Sequence, residues 1–311
     1  MGLRWAKVPG VTTRRVLLAT AIVAPLEIAA TVLLKRFVPV LPLVQEVLIG
    51  LAVSIIVPCA VICAFFRIRP LRGLQAWLPT LLASVTMLVV LFFVVRPFLF
   101  ETFVVPKNAM APTLLGRHWK GTCPECGQSS FRSPIDDRNR WPDESLMICE
   151  KFHVSEGADV DKTVHSGDSI IVTKFLMPRR WDLAVFKLPS EPNVLYVKRL
   201  VGLPGETIHI QDGFVWVDGV RLTPPESLEG IEYLPAVPDW YMPEPWGTVD
   251  RPALLGEDEY FVLGDFSVNS ADSRVWQVGA PAHNPYAVPE SYIQGVVTHT
   301  YWPLNRWRIH R

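Results

Sequence analysis

The stretch Glu101-Thr-Phe-Val-Val-Pro-Lys-Asn-Ala-Met-Ala-Pro-Thr-Leu-Leu115 stands where the chain changes character. Its apolar run Phe103, Val104 and Val105 predicts extended backbone, and Pro106 and Pro112 then punctuate a turn carrying Met110 and Thr113. Before it the chain is strongly apolar; after it come the short, turn-broken runs of a globular domain. The architecture follows from reading outward in both directions.

Toward the N-terminus lie three apolar segments, at residues 16–34, 47–66 and 78–95. Each is close to the ~20 residues that cross a ~30 Å hydrocarbon layer as a helix. Three in succession with basic flanks favour membrane spans over buried core helices. Pro25 and Glu27 interrupt the first and Pro58 the second, while the third carries no charge. Glu27 is costly in lipid and is expected to face another helix or a water pocket. The first segment follows Arg14-Arg15 and lacks a small-residue cleavage site, so it reads as a span and not as a removable leader. Overall formal charge is zero, and nothing points to nucleic acid or an acidic partner.

Toward the C-terminus the pattern is short strands. Residues 169–175, 183–188, 195–201, 207–217, 260–263 and 293–302 are rich in β-branched and aromatic residues, and Asp212-Gly213 is a two-residue hairpin signal. No long amphipathic helix competes with them. The expected fold is a membrane-anchored, mainly β protein: an anchor over 1–96, then an antiparallel β domain over 97–311. Two insertions interrupt that domain, a Cys-containing one at 117–165 and a Pro-rich one at 222–256. The second holds seven prolines between Pro224 and Pro252, with Trp240 and Trp246, and reads as an irregular, packed surface loop.

Cys59 and Cys63 lie inside an apolar segment, where small thiols are ordinary. Cys123-Pro-Glu-Cys126-Gly127 is instead a knuckle whose thiolates can hold one side of a tetrahedral zinc. Cys149 and His153 would supply the other side of a structural zinc site, with irregular spacing. The alternatives are a decayed ribbon or a Cys123–Cys126 disulfide in an oxidising compartment. Asp136 to Arg140 reads as a solvated loop.

The opening stretch resembles the nucleophile segment of bacterial type I signal peptidases, Pro-Ser-x-Ser-Met-x-Pro-Thr-Leu after a membrane anchor. Pro106, Met110, Pro112, Thr113 and Leu114 match it. Ala109 stands where the family has its nucleophilic serine, and Lys107 where it has the serine that helps the oxyanion hole. Further similarity follows in the family's order. Gly167-Asp168 to Phe175 and Arg180-Trp-Asp182 to Phe186 resemble the next two segments, and Tyr196-Val-Lys198-Arg199 to Gly205 resembles the lysine box. Gly264-Asp265 to Arg274 resembles the last box, with Phe266-Ser267 in place of the usual Asn-Arg.

The resemblance implies a Ser/Lys peptidase that removes leader peptides from exported proteins and needs no catalytic cofactor. Lys198 would be the general base, with Ser270 orienting its amine and Asp272 and Arg274 forming a supporting ion pair. Burial among apolar neighbours would keep the amine neutral enough to accept a proton. Ala109 has no hydroxyl to give. Three readings follow: an active peptidase, a non-catalytic relative that binds leader peptides or a partner peptidase, and a zinc-ribbon membrane adaptor. Polar residues at 198, 270, 272 and 274 speak against the adaptor, and Ala109 with Lys107 favours the non-catalytic relative.

Lys and Arg in the short flanks orient the anchor in its lipid. Arg4, Lys7, Arg14, Arg15, Arg67, Arg69 and Arg72 lie on one side, against Lys35 and Arg36 on the other. This predicts a cytoplasmic N-terminus and an extracytoplasmic β domain on the cell membrane. Protease added to intact spheroplasts is expected to digest the C-terminal domain and spare the N-terminal tail; protection of the C-terminus would reverse the topology.

Overall fold

Apolar runs too long for a small core become helices, and the alternating runs beyond them become sheet. In a computed structural model, residues 3, 6–8, 10–37, 43–134, 146–156, 160–233 and 244–311 are described. Two units divide the chain, Met1–Val95 and Arg96–Arg311. Asp136–Arg140 and Trp240 lie outside the described residues.

The first unit contains α1 (Thr13–Phe37), α2 (Leu43–Phe66) and α3 (Pro70–Val90), the last continued by a π-helical stretch, Leu91–Leu99, whose residues from Arg96 on belong to the second unit. Among the described residues, Thr13–Leu33 and Pro70–Leu99 are long and apolar enough to cross a membrane, and α2 contributes the shorter apolar stretch Ala52–Phe66. Leu17, Val32, Leu82, Met87 and Phe93 are exposed, a surface suited to lipid. Small residues let α2 and α3 meet: a Cβ on Gly73 would collide with Cys63 Sγ. The third segment is longer than the apolar run at 78–95 predicts. It starts at Pro70, where a missing N–H costs nothing, and its helical backbone takes in Arg72, Arg96 and Pro97. Hydropathy marks the lipid-facing centre of a helix, not its ends.

The second unit opens with β1 (Phe100–Val104), the edge of its main sheet. The insertion that follows is itself a five-stranded sheet: β2 (His118–Thr122), β3 (Ser129–Arg132), β4 (Leu146–Cys149), β5 (Val154–Glu156) and β6 (Val160–His165), in the order β5-β4-β3-β2-β6. The main sheet continues with β7 (Ser169–Thr173), β8 (Leu183–Leu188) and β9 (Glu191–Gly202). Next come β10 (Thr207–Gln211), β11 (Phe214–Val217), β12 (Val220–Arg221) and β13 (Ala253–Leu254), a smaller sheet ordered β12-β11-β10-β13. Last are β14 (Glu259–Leu263), β15 (Val288–Pro289), β16 (Ile293–Trp302) and β17 (Arg308–Ile309). The main sheet runs β1-β7-β16-β8-β9-β14-β15, all antiparallel, with β17 beside β16.

The hairpin at Asp212-Gly213 forms with both residues at positive φ, 51° and 79°, as a type I′ turn requires. Asp218-Gly219 makes a second such turn between β11 and β12, at 49° and 78°. The Pro-rich stretch departs from a surface loop. Leu228, Ile231 and Tyr233 are buried in the core beneath β10 and β11, and β13 completes the smaller sheet. Trp246 packs at 4.8 Å from the Tyr286 ring, and its indole N–H donates to the Trp276 carbonyl. Proline density hid the apolar residues spaced between the prolines.

Two buried carboxylates fasten the loop after β1 to this frame. Asp168 accepts from the Leu115 N–H at 2.8 Å and from Arg306, which also donates to the carbonyls of Pro112 and Thr113. Asp265 pairs with Arg199 through two guanidinium nitrogens, and the Thr113 hydroxyl donates to the same carboxylate. Breaking a buried pair leaves an uncompensated charge. Asp265→Ala is therefore expected to cost about 3–5 kcal/mol, read as a fall in the urea midpoint of the detergent-solubilised chain. Asp265→Asn, which keeps an acceptor for Thr113, is expected to cost less.

Candidate active site

Successive residues in a strand point to opposite faces, and β9 uses this at Lys198 and Arg199. Arg199 turns to Asp265, whereas Lys198 donates from Nζ to Ser270 Oγ at 2.7 Å. Both side chains are buried. Ser270 follows the 3-10 turn Ser267–Asn269, so the last box folds back onto the lysine strand.

Asp272 lies in the same turn region and is fully buried. Arg274 grips it through Nε and Nη2, both at 2.8 Å, and the Gly264 N–H donates to it at 2.9 Å. Arg274 also donates to Ser267 Oγ and to the Ser267 carbonyl. The guanidinium beside Asp272 holds that carboxylate ionised, below its ordinary range, against the burial that would raise it. Ser267, one of the two residues that break the last-box pattern, thus ties Arg274 to the preceding turn. Phe266, the other, is buried with Ala111, Leu115, Phe131 and Ile148.

Ala109 sits where the loop meets this turn. Its carbonyl accepts from the Phe266 N–H at 3.2 Å. A Cβ on Gly264 would collide with Ser270 Oγ and crowd the Ala109 carbonyl oxygen, so the glycine lets these two segments close. Asn108, buried and unremarked in the sequence, holds the loop's shape. Its Oδ1 accepts from the Gly116 N–H at 2.8 Å, while Nδ2 donates to the Arg117 carbonyl and Ser133 Oγ. Thr113, the hydroxyl nearest in sequence to position 109, is occupied with Asp265 and Arg199 and takes no part in this cluster.

The electrostatics follow from burial. Desolvation drives the Lys198 pKa from an ordinary 10.5 to about 8; Asp272 and Asp265 oppose that fall, while Arg274 and Lys107 add to it. At pH 7 a pKa of about 8 leaves about a tenth of the amine neutral, against about three in ten thousand at 10.5. Lys107 is therefore close enough for its charge to bear on Lys198. Lys198 and Ser270 are in contact with each other, and the Ala109 backbone meets the same turn through its carbonyl, which lies beside Gly264 and the Phe266 N–H.

A second cluster lies in the insertion. Ligand atoms of Cys123, Cys126, Cys149 and His153 all fall within 4.8 Å of one another. The cysteines are free thiols, and the neighbour of Cys126 Sγ is Cys149 Sγ at 3.7 Å, so the Cys123–Cys126 disulfide does not form.

The lysine strand and the turn that follows β14 thus bring a buried Lys198–Ser270 pair and a buried Asp272–Arg274 pair together on an antiparallel frame. The chain belongs to the signal peptidase, peptidase S26 family, whose sequence signature matches residues 145–302 and takes in Lys198, Ser270, Asp272 and Arg274. It is similar to signal peptidase I of Leptolyngbya laminosa, 34% identical over 156 residues, which are 46% of this chain and 64% of that protein. Signal peptidase I of Bacillus licheniformis is 33% identical over 126 residues, 39% of this chain and 64% of its relative. The chain thus spans less than two thirds of the length of these curated relatives. A solved signal peptidase I from Enterococcus faecalis V583 is 27% identical over 40% of this chain and 98% of its own, with a TM-score of 0.29.

The depressed Lys198 pKa makes stability depend on pH. The unfolded chain keeps this proton up to about pH 10.5, the folded chain only to about 8. Between these values the unfolded state binds more protons, so stability rises with pH by about 3 kcal/mol from this group; below pH 8 the burial penalty is constant. Lys198→Met removes the term. The stability gap between Lys198→Met and the unmodified chain is expected to shrink as pH climbs from 8 to 10.5 in urea titrations. A gap that stays constant would place the lysine pKa outside this window.

Proposed function

We propose that this family member binds leader peptides of exported proteins at the Lys198–Ser270 site without cleaving them. The reading is supported by a buried, part-neutral lysine that donates to Ser270, in a chain whose position 109, on the loop that meets the same turn, is an alanine with no hydroxyl to give. Removing the hydroxyl of a covalent catalyst costs several orders of magnitude in rate. Lys107, at the oxyanion position, sets a long cation where a small donor would work and removes a further factor of about 10²–10³.

Peptide binding has support in the frame. β1 is the edge of the main sheet and runs straight into the Ala109 loop, so an extended peptide can add beside it. Phe103 of β1 and Val197 of β9, both half-buried, pack on the same apolar cluster as Met110 and Leu114. They offer apolar contact for small side chains near position 109. A multi-pass anchor with the β domain outside the cytoplasm, as the basic flanks predict, would bring that edge to the membrane face where leaders emerge. Binding without cleavage would suit a subunit that hands leaders to a partner peptidase.

The unmodified, detergent-solubilised chain is expected to bind a fluorescent leader peptide and leave it intact. Ala109→Ser alone is expected to restore little cleavage. Lys107→Ser with Ala109→Ser is expected to cleave measurably faster, and adding Lys198→Ala to that pair should abolish the gain. Turnover by the unmodified chain that survives Lys198→Ala would overturn the placement of the site.

A further inference from the structure

We propose that Cys123, Cys126, Cys149 and His153 bind one zinc ion, and that this ion braces the insertion sheet against the loop that carries Ala109. The cluster is built from two tight turns, each closed by a backbone hydrogen bond onto a cysteine carbonyl and each ending in a residue at positive φ. In the first, the Gly127 N–H returns to the Cys123 carbonyl at 2.9 Å, and Gly127 takes positive φ, 71°. In the second, the Phe152 N–H returns to the Cys149 carbonyl at 2.9 Å, and Phe152 takes positive φ, 65°. A bulky residue in the left-handed region is uncommon and needs its surroundings to hold it there. The Lys151 N–H points to Cys149 Sγ at 3.4 Å, the kind of contact that stabilises a metal-bound thiolate.

The distances suit the metal. Zinc–sulfur bonds of about 2.3 Å in a tetrahedron put sulfurs about 3.8 Å apart. Cys126 and Cys149 Sγ are 3.7 Å apart, and Cys123 Sγ is 3.9 Å from His153 Nδ1. The irregular spacing resolves in three dimensions: the second turn ends in an imidazole one residue later than a thiol would stand. Glu125 Oε2 lies 3.7 Å from the same Nδ1 and must yield it to the metal, after which it can serve as an outer acceptor. Three thiolates and one imidazole in a tetrahedral arrangement select zinc over the hard cations.

The turns have a load to hold. Strands β3 and β4 leave and enter these turns, and their Phe131 and Ile148 pack on Ala111, Leu115 and Phe266, with Phe152 and Val154 alongside. Phe152 also touches the core beneath β10 and β11. Ser133, just past β3, accepts from Asn108. The knuckles therefore stand behind the wall that shapes the loop around Ala109. This inference stands whether or not the chain binds leader peptides.

Metal analysis of the purified full chain is expected to find about one zinc per chain. Cobalt(II) exchange is expected to give thiolate charge-transfer and tetrahedral d–d absorption, and chelation should lower the thermal midpoint. Cys149 is buried, so a folding failure of Cys149→Ser would not isolate the metal, and the decisive variant is His153→Ala. It should fold and weaken zinc in chelator competition by more than the ~10–100-fold typical of an outer-sphere partner. A chain that carries no zinc and takes up none, one loaded with iron instead, or alkylation mass spectra showing a disulfide among these cysteines would each overturn the proposal. So would zinc affinity unchanged in His153→Ala.

Discussion

The Arg199–Asp265 pair is the contact on which the arrangement of the site depends. It joins the lysine strand to the segment that begins at Gly264-Asp265, and Thr113 adds the loop after β1 by donating to the same carboxylate. Three segments far apart in the chain are thereby fixed around one buried charge pair. Desolvating two ions is expensive, and the pair is tolerable because its hydrogen bonds are met: Arg199 also donates to the Trp181 carbonyl. An apolar replacement could pack as well, but it would not dictate which turn meets which strand.

The same strand explains why one buried cation keeps its charge and its neighbour partly gives it up. Arg199 has a carboxylate in contact and stays ionised. Lys198 points the other way, to a neutral hydroxyl, while Asp272, the carboxylate whose charge bears most on it, is already held by Arg274. Asp265 and Asp272 are each matched to an arginine, and among the described residues no ion pair forms at Lys198, so its desolvation goes largely uncompensated. Its depressed pKa is the consequence.

Much of this was legible in the residues. The anchor-then-sheet order, the strands at 183–188 and 293–302 and the hairpin at Asp212-Gly213 follow from periodicity and turn chemistry. Lys198, Ser270, Asp272 and Arg274 were found through a resemblance, since a Lys-Arg pair in a strand carries no signal of burial by itself. Other features had no local signature. Arg306 reaches Asp168 across 138 positions, and Asn108 looks like any turn asparagine until its three partners are seen. The five strands of the insertion were hidden because their runs are only three to six residues long and, β4 (Leu146–Cys149) apart, mostly polar.

A buried lysine without a carboxylate partner weakens the folded state throughout the neutral range, because the unfolded chain holds its proton more tightly. Ser270 offsets part of that cost with one hydrogen bond, and a methionine in the same place would avoid it altogether. Folding alone thus gives no reason for an amine here, whereas a ligand with a polar backbone does: an extended peptide brings carbonyls that a buried ammonium can meet. The proposed peptide binding would give such an amine a use whether or not position 109 can attack. On the proposed reading, an alanine at 109 would remove the covalent step and leave the recognition chemistry in place.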